Sequence, residues 1–454
     1  MQFLRRLQGN KFSHSLLLLF ISAFLVRLIA LDQSLWLDEA ITANVVQSSF
    51  SDILTQFSPV DFHPPLYYWM LKLWSTFFGS SEVALRSLSV LLSLIAGYFI
   101  YRVGRLVRDE RVGLWSAAFF LFNPLVIYYS QEARMYVLAT MLIALHLWSL
   151  LELKNKWTTK WALVFAGSLA LSFLTFYGTV FYFGAVGLYA LWLRQWKLAW
   201  LTAGSFVVTV LVGSPLLVKQ FVHSREMLAV VTNWHSVLGT ANMKNLLLIP
   251  IKLTSGRISF EPKIVYYTLS VVWLAIVGII AALGRRQRML IWLLVAPLAL
   301  GVVFSFFSPL LQYFRFIYLI IPFSVLLAVG TLRYQIARPF VLLGFVTWSL
   351  VYLLLPQFHR EDWRSVSYVI NESDTPVYLI ISSSDPLRYY LRNRELHSLQ
   401  EFKLEGAPGE ILVIPYTAEI HGFPYSEVLT QLGYSIQETS AFRGITVERW
   451  NQPH

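Results

Sequence analysis

Acidic residues are concentrated in one short stretch of an otherwise apolar chain. Residues 1–355 contain twelve Asp and Glu residues, and five of them lie between residues 32 and 61: Asp32, Asp38, Glu39, Asp52 and Asp61. Ionised carboxylates are costly at membrane depth and mark places where they are used. This stretch is therefore the leading candidate for an active site, in which a carboxylate would accept a proton from a hydroxyl group.

Asp38 and Glu39 open the segment DEAITANVVQSS, which favours a short helix at a membrane interface. The residues alone leave two interpretations open. Acidic side chains at a helix N-terminus stabilise the unpaired amides and the helix dipole. Alternatively, one of them is a general base, and a single base combined with a phosphate leaving group would suit one-step inversion at a sugar carbon.

The next polar segment is Asp61-Phe62-His63-Pro64-Pro65. Two prolines favour a helix start, because the amides that they lack are unpaired there in any case. A histidine beside them has the chemistry to bind a phosphate or a metal, although a single histidine is more often structural. Both interpretations remain open for this segment.

Two arginines lie at the predicted outward ends of apolar runs. Arg86 follows Glu82 by four residues, so an ion pair along one helix competes with a phosphate-binding role. Arg315 is the only charged residue between positions 289 and 332. A charge that isolated indicates an anionic partner or a side chain that reaches to the membrane surface.

Glu132 and Arg134 lie in a short polar connection between two apolar runs. Glu132 suits helix capping at the membrane boundary. The guanidinium group of Arg134 has donors arranged to bind a phosphate through two hydrogen bonds.

The elements that must position these residues are membrane helices. Runs of about 17–25 apolar residues are long enough to span a bilayer. Eleven such runs are predicted, at residues 13–31, 83–102, 112–129, 134–151, 161–177, 179–194, 198–217, 264–283, 289–306, 316–332 and 339–355. The residues between 218 and 263 are expected to form a long loop.

Lysine and arginine mark alternate connections, as expected if these connections lie in the cytoplasm. They are enriched in the N-terminus, where Arg5, Arg6 and Lys11 precede the first run, and around residues 102–111, 154–160, 194–197, 285–288 and 333–338. The predicted N-terminus is therefore cytoplasmic. The first loop, about residues 32–82, and the tail after residue 355 would face outward.

The tail, residues 356–454, has the pattern of a small soluble α/β domain. Helices are predicted at 362–371 and 425–432, and strands at 377–382, 411–415 and 445–450. Alternation of this kind favours a partly parallel sheet. The chain thus divides into a membrane core at 1–355 and a soluble domain at 356–454.

Composition agrees with this division. The 454 residues are 56% hydrophobic and 13% charged, against roughly 25% charged residues in soluble domains. The net charge of +11 arises from the membrane part, since the tail has 13 acidic and 8 basic residues. Nucleic-acid binding is therefore not indicated. The chain has no cysteine, which excludes disulfides and thiolate metal sites.

Four motifs resemble one family. They are WLDEA at 36–40, DFHPPLYYW at 61–69, ALRSLSV at 84–90 and SQEARMYVL at 130–138, with QYFRFIYLIIP at 312–322 as further support. Together they resemble the superfamily of protein O-mannosyltransferases and lipid A aminoarabinose transferases, which are membrane glycosyltransferases of the GT-C fold, and in particular its bacterial branch. The resemblance covers about residues 20–150. It implies an α-helical polytopic membrane protein with about eleven transmembrane helices and a C-terminal soluble domain.

The resemblance also implies roles for individual residues. Asp38 would be the catalytic base and Glu39 would help to position the acceptor. Asp61 and His63 would line the same cavity. The remaining candidates would contact the substrate or hold the phosphate of the sugar carrier: Arg86, Glu132, Arg134 and Arg315.

The implied reaction moves a sugar from a polyprenyl-phosphate donor to a hydroxyl of a lipid, glycan or protein acceptor, outside the cytoplasm and in a bacterial inner or plasma membrane. A divalent metal is compatible with this chemistry but is not required where arginines neutralise the phosphate. A transporter or flippase of lipid-linked sugars is the alternative, although no inverted repeat is visible. A membrane scaffold would leave the acidic loop unexplained.

Overall fold

The computed structural model describes residues 2–403 and 407–452. The side chains of residues 2–12, 235 and 236 lie outside this description. Arg5, Arg6 and Lys11, on which the predicted cytoplasmic N-terminus rests, are among them. The α-helices of the membrane part are α1 Gln2–Leu28, α2 Leu37–Val45, α3 Phe50–Asp52, α4 Leu66–Phe78, α5 Glu82–Val107, α6 Glu110–Leu121, α7 Pro124–Ser130, α8 Tyr136–Asn155, α9 Thr159–Phe173, α10 Val180–Trp192, α11 Trp196–Val230, α12 Trp234–Leu238, α13 Met243–Ser255, α14 Lys263–Leu283, α15 Arg288–Ser305, α16 Ile320–Gly330 and α17 Ala337–Leu354.

Among the described residues, seven helices are long and apolar enough to cross a membrane, or eight if the bent pair α6–α7 counts as one span. The α16 span begins in a 3-10 turn at Tyr313–Leu319. Ser13–Leu28 and α9 are apolar but shorter. The prediction of a polytopic helical membrane protein is confirmed, whereas the count of eleven spans stays a prediction.

The run predicted at 112–129 is broken rather than continuous. The axes of α6 and α7 differ by 62°. The Asn123 side chain caps α7 by accepting hydrogen bonds from the amides of Leu125 (2.9 Å) and Val126 (3.3 Å), and Pro124 occupies the first turn. An N-cap followed by proline starts a new helix. Because of this break, the connection after α7 contacts the first loop. The connection contains Glu132 and Arg134.

The predicted loop at 218–263 is wrong in extent, because α11 continues to Val230 and is followed by α12 and α13. Residues 218–230 contain neither glycine nor an additional proline, so nothing in the local sequence ends the helix. The connection that remains irregular between α13 and α14, residues 256–262, contains Arg257.

The C-terminal part forms the predicted small α/β domain. Its helices are α18 Trp363–Asn371, α19 Asp385–Tyr390 and α20 Tyr425–Gln431, and its strands are β1 Val377–Leu379, β2 Leu396–Ser398, β3 Glu410–Ile414, β4 Ser435–Phe442 and β5 Ile445–Asn451. The sheet order is β2-β1-β3-β5-β4, with β1 parallel to β2 and β3, and β5 antiparallel to β3 and β4. The partly parallel sheet is as predicted, whereas β2, β4 and α19 were not.

The domain docks on the first loop of the membrane part. The Tyr390 hydroxyl accepts from the Leu35 amide at 3.0 Å, and the Tyr389 hydroxyl donates to the Ser80 carbonyl at 2.7 Å. The Asn44 amide of α2 donates to the Asp385 carboxylate at 2.9 Å. These bonds hold α19 against the first loop, so the C-terminal domain and the membrane part are in direct contact there.

Close packing of α14 against α16 generates a test of the membrane core. A Cβ at Gly330 would collide with the Ile280 carbonyl oxygen, whereas a Cβ at Gly278 would meet nothing within 4 Å. We expect Gly330→Ala to destabilise the protein by about 1–3 kcal/mol through overpacking. Thermal unfolding in detergent measures this. Gly278→Ala is the control and should leave the melting temperature unchanged or raise it; equal behaviour of the two variants would contradict the packing.

Candidate active site

A cavity of ≈ 470 Å³ lies where the first loop, the ends of the membrane helices and the C-terminal domain meet. It combines acidic, basic, aromatic and hydroxyl side chains from all three regions. Its lining includes Trp36, Asp38, Ile41, Tyr129, Glu132, Tyr136, Trp234, Arg257, Tyr313, Ser382, Ser383, Tyr416, Thr417 and His421. Of the residues predicted from sequence, Asp38 and Glu132 belong to this lining.

Asp38 stands in the first turn of α2 with 33% of its side chain exposed. The N-cap of α2 is Trp36, which makes no side-chain capping bond. Asp38 is thus placed favourably for the helix dipole, but its carboxylate remains accessible to the cavity. Its ionic partner is Arg134, whose Nη2 lies 3.5 Å from Oδ2.

Arg134 joins Asp38 to Asp61 behind the cavity wall. Its Nη1 donates weakly to the Asp38 carbonyl at 3.4 Å and to the Tyr68 hydroxyl at 3.4 Å. Tyr68 in turn donates to Asp61 Oδ2 at 2.7 Å. Burial raises the pKa of Asp61, against the charge of Arg134. The cluster supplies a positive charge next to Asp38, with the Nε of Arg134 buried and unpaired.

Glu39 faces the opposite way and is fully buried. Its carboxylate accepts two bonds from Arg86, at 2.9 and 2.6 Å, and one from the Ala133 amide at 2.8 Å. Burial alone would raise the pKa of Glu39, but Arg86 and Arg360 outweigh it and hold the pKa below its ordinary value. Glu39 is therefore a structural anion beneath the cavity.

Arg86 differs from both interpretations of its sequence. Glu82, four residues earlier, pairs with Arg364 instead. All five donors of the buried Arg86 guanidinium are used, two by Glu39 and three by the carbonyls of Leu31, Gln33 and Ser34. A phosphate would have to displace these bonds, so the geometry does not support a phosphate-binding role for Arg86.

Arg360 is a residue that the sequence did not reveal. It enters from the C-terminal side and lies 3.4 Å from Glu39 and 3.2 Å from Glu132. Burial, foremost, raises the pKa of Glu132, and the neighbouring Arg360 opposes this shift. Helix capping by Glu132 is not seen, because α8 begins after Met135 without a side-chain cap. No sequence signal links Arg360 to the first loop across more than 300 residues.

Arg257 is the second residue that the sequence did not single out. Gly256, with φ of 75°, ends α13 and turns the chain toward the cavity. Arg257 Nη1 donates to the Tyr128 hydroxyl at 2.5 Å, and its guanidinium lies over the Trp36 ring at 5.5 Å. Its side chain is exposed and lines the cavity, so it offers an accessible positive charge.

His63 and Arg315 have other surroundings. The His63 carbonyl accepts from Gln220 at 3.0 Å, and burial, followed by the charges of Arg134 and Arg315, holds the pKa of His63 well below its usual value. Pro65 precedes α4 directly, so the prolines do start a helix. Arg315 Nη1 donates to the carbonyls of Leu238 (2.7 Å) and Pro309 (3.3 Å). Because these carbonyls are neutral, the two bonds anchor the side chain without neutralising its charge.

No group of three or more His, Asp or Glu side chains that could hold a metal ion occurs within residues 2–403 and 407–452. Asp38 and Glu132, which line the cavity, lie beside Arg134 and Arg360 respectively.

One segment of the sequence is similar to a known protein family. Residues 62–218 match the family model described as dolichyl-phosphate-mannose-protein mannosyltransferase. This segment contains His63, Arg86, Glu132 and Arg134 and begins after Asp38 and Glu39. Among curated proteins, no sequence matches the chain.

Solved structures match over most of the chain. ArnT from Cupriavidus metallidurans in the apo state has a TM-score of 0.63 at 14% identity, covering 95% of this chain and 97% of that chain. The same protein bound to undecaprenyl phosphate has a TM-score of 0.62 at 12% identity, covering 97% and 98%. The oligosaccharyltransferase of Archaeoglobus fulgidus in complex with Zn and sulfate has a TM-score of 0.50 at 13% identity and covers 82% and 61%.

At these identities the structural likeness establishes the fold, which is that of GT-C membrane proteins with a small C-terminal sheet domain. The family match adds that residues 62–218, less than half of the chain, are similar to dolichyl-phosphate-mannose-protein mannosyltransferases. This segment overlaps the stretch whose motifs resemble the superfamily of protein O-mannosyltransferases and lipid A aminoarabinose transferases.

The buried ion network generates a stability prediction. Glu39→Gln should leave Arg86 and Arg360 without their shared counter-charge and destabilise the protein by about 3–5 kcal/mol. Glu82→Gln is the matched control, because it also removes an acid that pairs with the C-terminal domain, but its partner Arg364 is half exposed. That variant should lose about 1 kcal/mol or less. Thermal unfolding in detergent distinguishes them, and a wild-type melting temperature for Glu39→Gln would contradict the structural role.

Proposed function

We propose that this protein transfers a hexose or pentose from a polyprenyl-phosphate donor to an acceptor hydroxyl on the extracytoplasmic side of a bacterial plasma membrane. One observation carries the proposal: an accessible carboxylate, Asp38, and an accessible guanidinium, Arg257, line the same cavity. A structural relative, ArnT, binds undecaprenyl phosphate, which supports a carrier of this chemical class.

In the proposed mechanism, Arg257 binds the donor phosphate and stabilises the charge that develops as the phosphate leaves. Asp38 accepts the proton of the acceptor hydroxyl while its oxygen attacks the anomeric carbon. A single base and a charged leaving group suit a single displacement with inversion. A divalent metal enters none of these steps.

The other predicted residues take supporting roles in this proposal. Arg134 lies 3.5 Å from the Asp38 carboxylate and holds it in place at the cavity. The ion pair between Glu39 and Arg86 holds the first loop against α5. Arg315 and His63 shape the neighbouring wall, where Arg315 already has carbonyl partners.

The proposed orientation follows from the length of α5. Arg86 lies near the start of this 26-residue helix, which is about 39 Å long at 1.5 Å per residue. Its other end carries the basic connection around residues 102–111, so that connection lies on the membrane face opposite the cavity. Basic connections favour the cytoplasm, which supports an orientation with the cavity, the first loop and the C-terminal domain outside.

Replacement of the base tests the mechanism. We expect Asp38→Asn to reduce transfer from polyprenyl-phosphate sugars by at least about 100-fold, because an amide does not accept the proton, with folding and membrane insertion unchanged. Released polyprenyl phosphate and transferred sugar are measured with purified protein in lipid.

Asp52→Asn is the control, since Asp52 lies in the same loop but pairs with Ser49 at 2.7 Å on the exposed surface. Normal turnover by Asp38→Asn would exclude the base assignment. Carrier movement between leaflets without sugar transfer, unaffected by Asp38→Asn, would favour a flippase instead.

Orientation can be tested directly because the chain has no cysteine. Single cysteines replace Lys156 in the α8–α9 connection and Ser435 on β4, both of which are exposed. On intact cells, a membrane-impermeant maleimide should label Ser435→Cys, and Lys156→Cys only after permeabilisation. The reverse pattern would place the C-terminal domain in the cytoplasm.

A further inference from the structure

The C-terminal domain forms one wall of the cavity, in which every lining side chain except the apolar Ile420 is polar and uncharged. Ser382, Ser383, Tyr416, Thr417 and His421 line it. None of them carries a fixed charge at neutral pH, and each has both donor and acceptor capacity. The wall therefore differs from the charged membrane side, where Asp38 and Arg257 lie.

This wall is held in place by bonds among its own residues. The hydroxyls of Ser383 and Thr417 lie 2.5 Å apart, and Ser382 Oγ lies 3.3 Å from His421 Nε2. Thr417 has a φ of 65°, a left-handed conformation that is an outlier for a β-branched residue. Backbone strain of this kind persists where the surroundings enforce it and is concentrated at functional sites.

The same loop is fastened to the membrane part. The Asn233 amide nitrogen donates to the Ile420 carbonyl at 3.0 Å, and its side chain donates to the Glu419 carbonyl at 2.7 Å. The loop that carries Tyr416, Thr417 and His421 is thus bonded across the domain boundary and forms a fixed part of the cavity.

Tyr416 is the largest of the polar side chains in the wall, and Glu361 orients it. The Tyr416 hydroxyl donates to Glu361 Oε1 at 2.8 Å, and Trp363 Nε1 donates to Oε2 at 3.1 Å. With its proton committed to Glu361, the Tyr416 oxygen keeps lone pairs that can accept from a ligand. Burial, foremost, raises the pKa of Glu361, with Arg257 and Asp38 among the charges that act on it.

We propose that the C-terminal domain forms the acceptor side of the site, that the acceptor is a neutral saccharide, and that Tyr416, held by Glu361, positions its hydroxyl toward Asp38. This inference rests on the proposed function. Saccharide hydroxyls both donate and accept hydrogen bonds, as the polar side chains of the wall do, and the wall offers no counter-charge to an anionic acceptor. Tyr416 is a positioning residue, since Asp38 takes the proton.

The domain contains a matched control for Tyr416. Tyr425 donates to Glu448 Oε1 at 2.9 Å, and Trp450 Nε1 donates to Glu448 Oε2 at 2.9 Å. This second Tyr–Glu–Trp arrangement has the same bonds but does not line the cavity. A purely structural contribution would therefore affect both sites alike.

The first experiment compares Tyr416→Phe with Tyr425→Phe in the full chain, in lipid. The acceptors are neutral oligosaccharides in solution and neutral glycolipids in vesicles, which separates a free from a lipid-borne saccharide. We expect Tyr416→Phe to lower kcat/KM for the acceptor about tenfold, the effect of one lost hydrogen bond, with donor hydrolysis to water unchanged. Glu361→Gln keeps an acceptor for Tyr416 and should be milder. Equal effects of the two Phe variants, or a parallel loss of donor hydrolysis, would overturn the proposal.

A second experiment measures binding without turnover. Ser382→Cys places the only thiol of the chain in the wall, and Ser435→Cys places one on β4 as a control. The neutral saccharides should slow maleimide labelling at position 382 and not at 435. Absence of protection by either source would overturn the acceptor assignment. Absence of sugar release from every donor would contradict the proposed function, while the labelling result still decides this inference.

Discussion

Charges that are removed from water must be paired, and in this protein that constraint joins four distant segments. Glu39 of the first loop binds Arg86 of α5, the amide of Ala133 before α8, and Arg360 at the start of the C-terminal domain. Arg360 continues the network to Glu132. Removing any one member would leave a buried charge uncompensated. The network therefore holds the residues beneath the cavity in place and also attaches the C-terminal domain to the membrane part.

Two adjacent acidic residues have different fates for a simple geometric reason. Successive side chains on a helix point about 100° apart at 3.6 residues per turn, so only one of Asp38 and Glu39 can enter the core. Glu39 does so and is neutralised by two arginines. Asp38 stays at the cavity with a longer, weaker contact to Arg134. The rigid anion thus holds its accessible neighbour in position.

The sequence predicted elements whose signals are local. The apolar runs, the α/β tail and the acidic loop could all be read from periodicity, hydropathy and composition. Two elements had weak local signals. The end of α11 was predicted too early, because the helix continues past its apolar run to Val230. The strand β4 was not predicted, because it is a largely exposed edge strand with polar residues. Arg257 and Arg360 could not be found, because their roles depend on contacts far along the chain. The pairing of Arg86 with Glu39 could not be predicted either, because the two residues are 47 positions apart.

In the function proposed above, the site combines two chemistries. Binding a lipid-linked phosphate is favoured by positive charge, which Arg257 offers. A neutral, hydroxyl-rich acceptor is suited by uncharged groups that both donate and accept hydrogen bonds, which the wall at Ser383, Tyr416 and Thr417 offers. A membrane helix bundle exposes few such groups, because unpaired polar groups are costly in lipid. A soluble domain seated by Arg360 supplies them without placing them in the bilayer, so the docking of the domain is part of what makes the cavity a site.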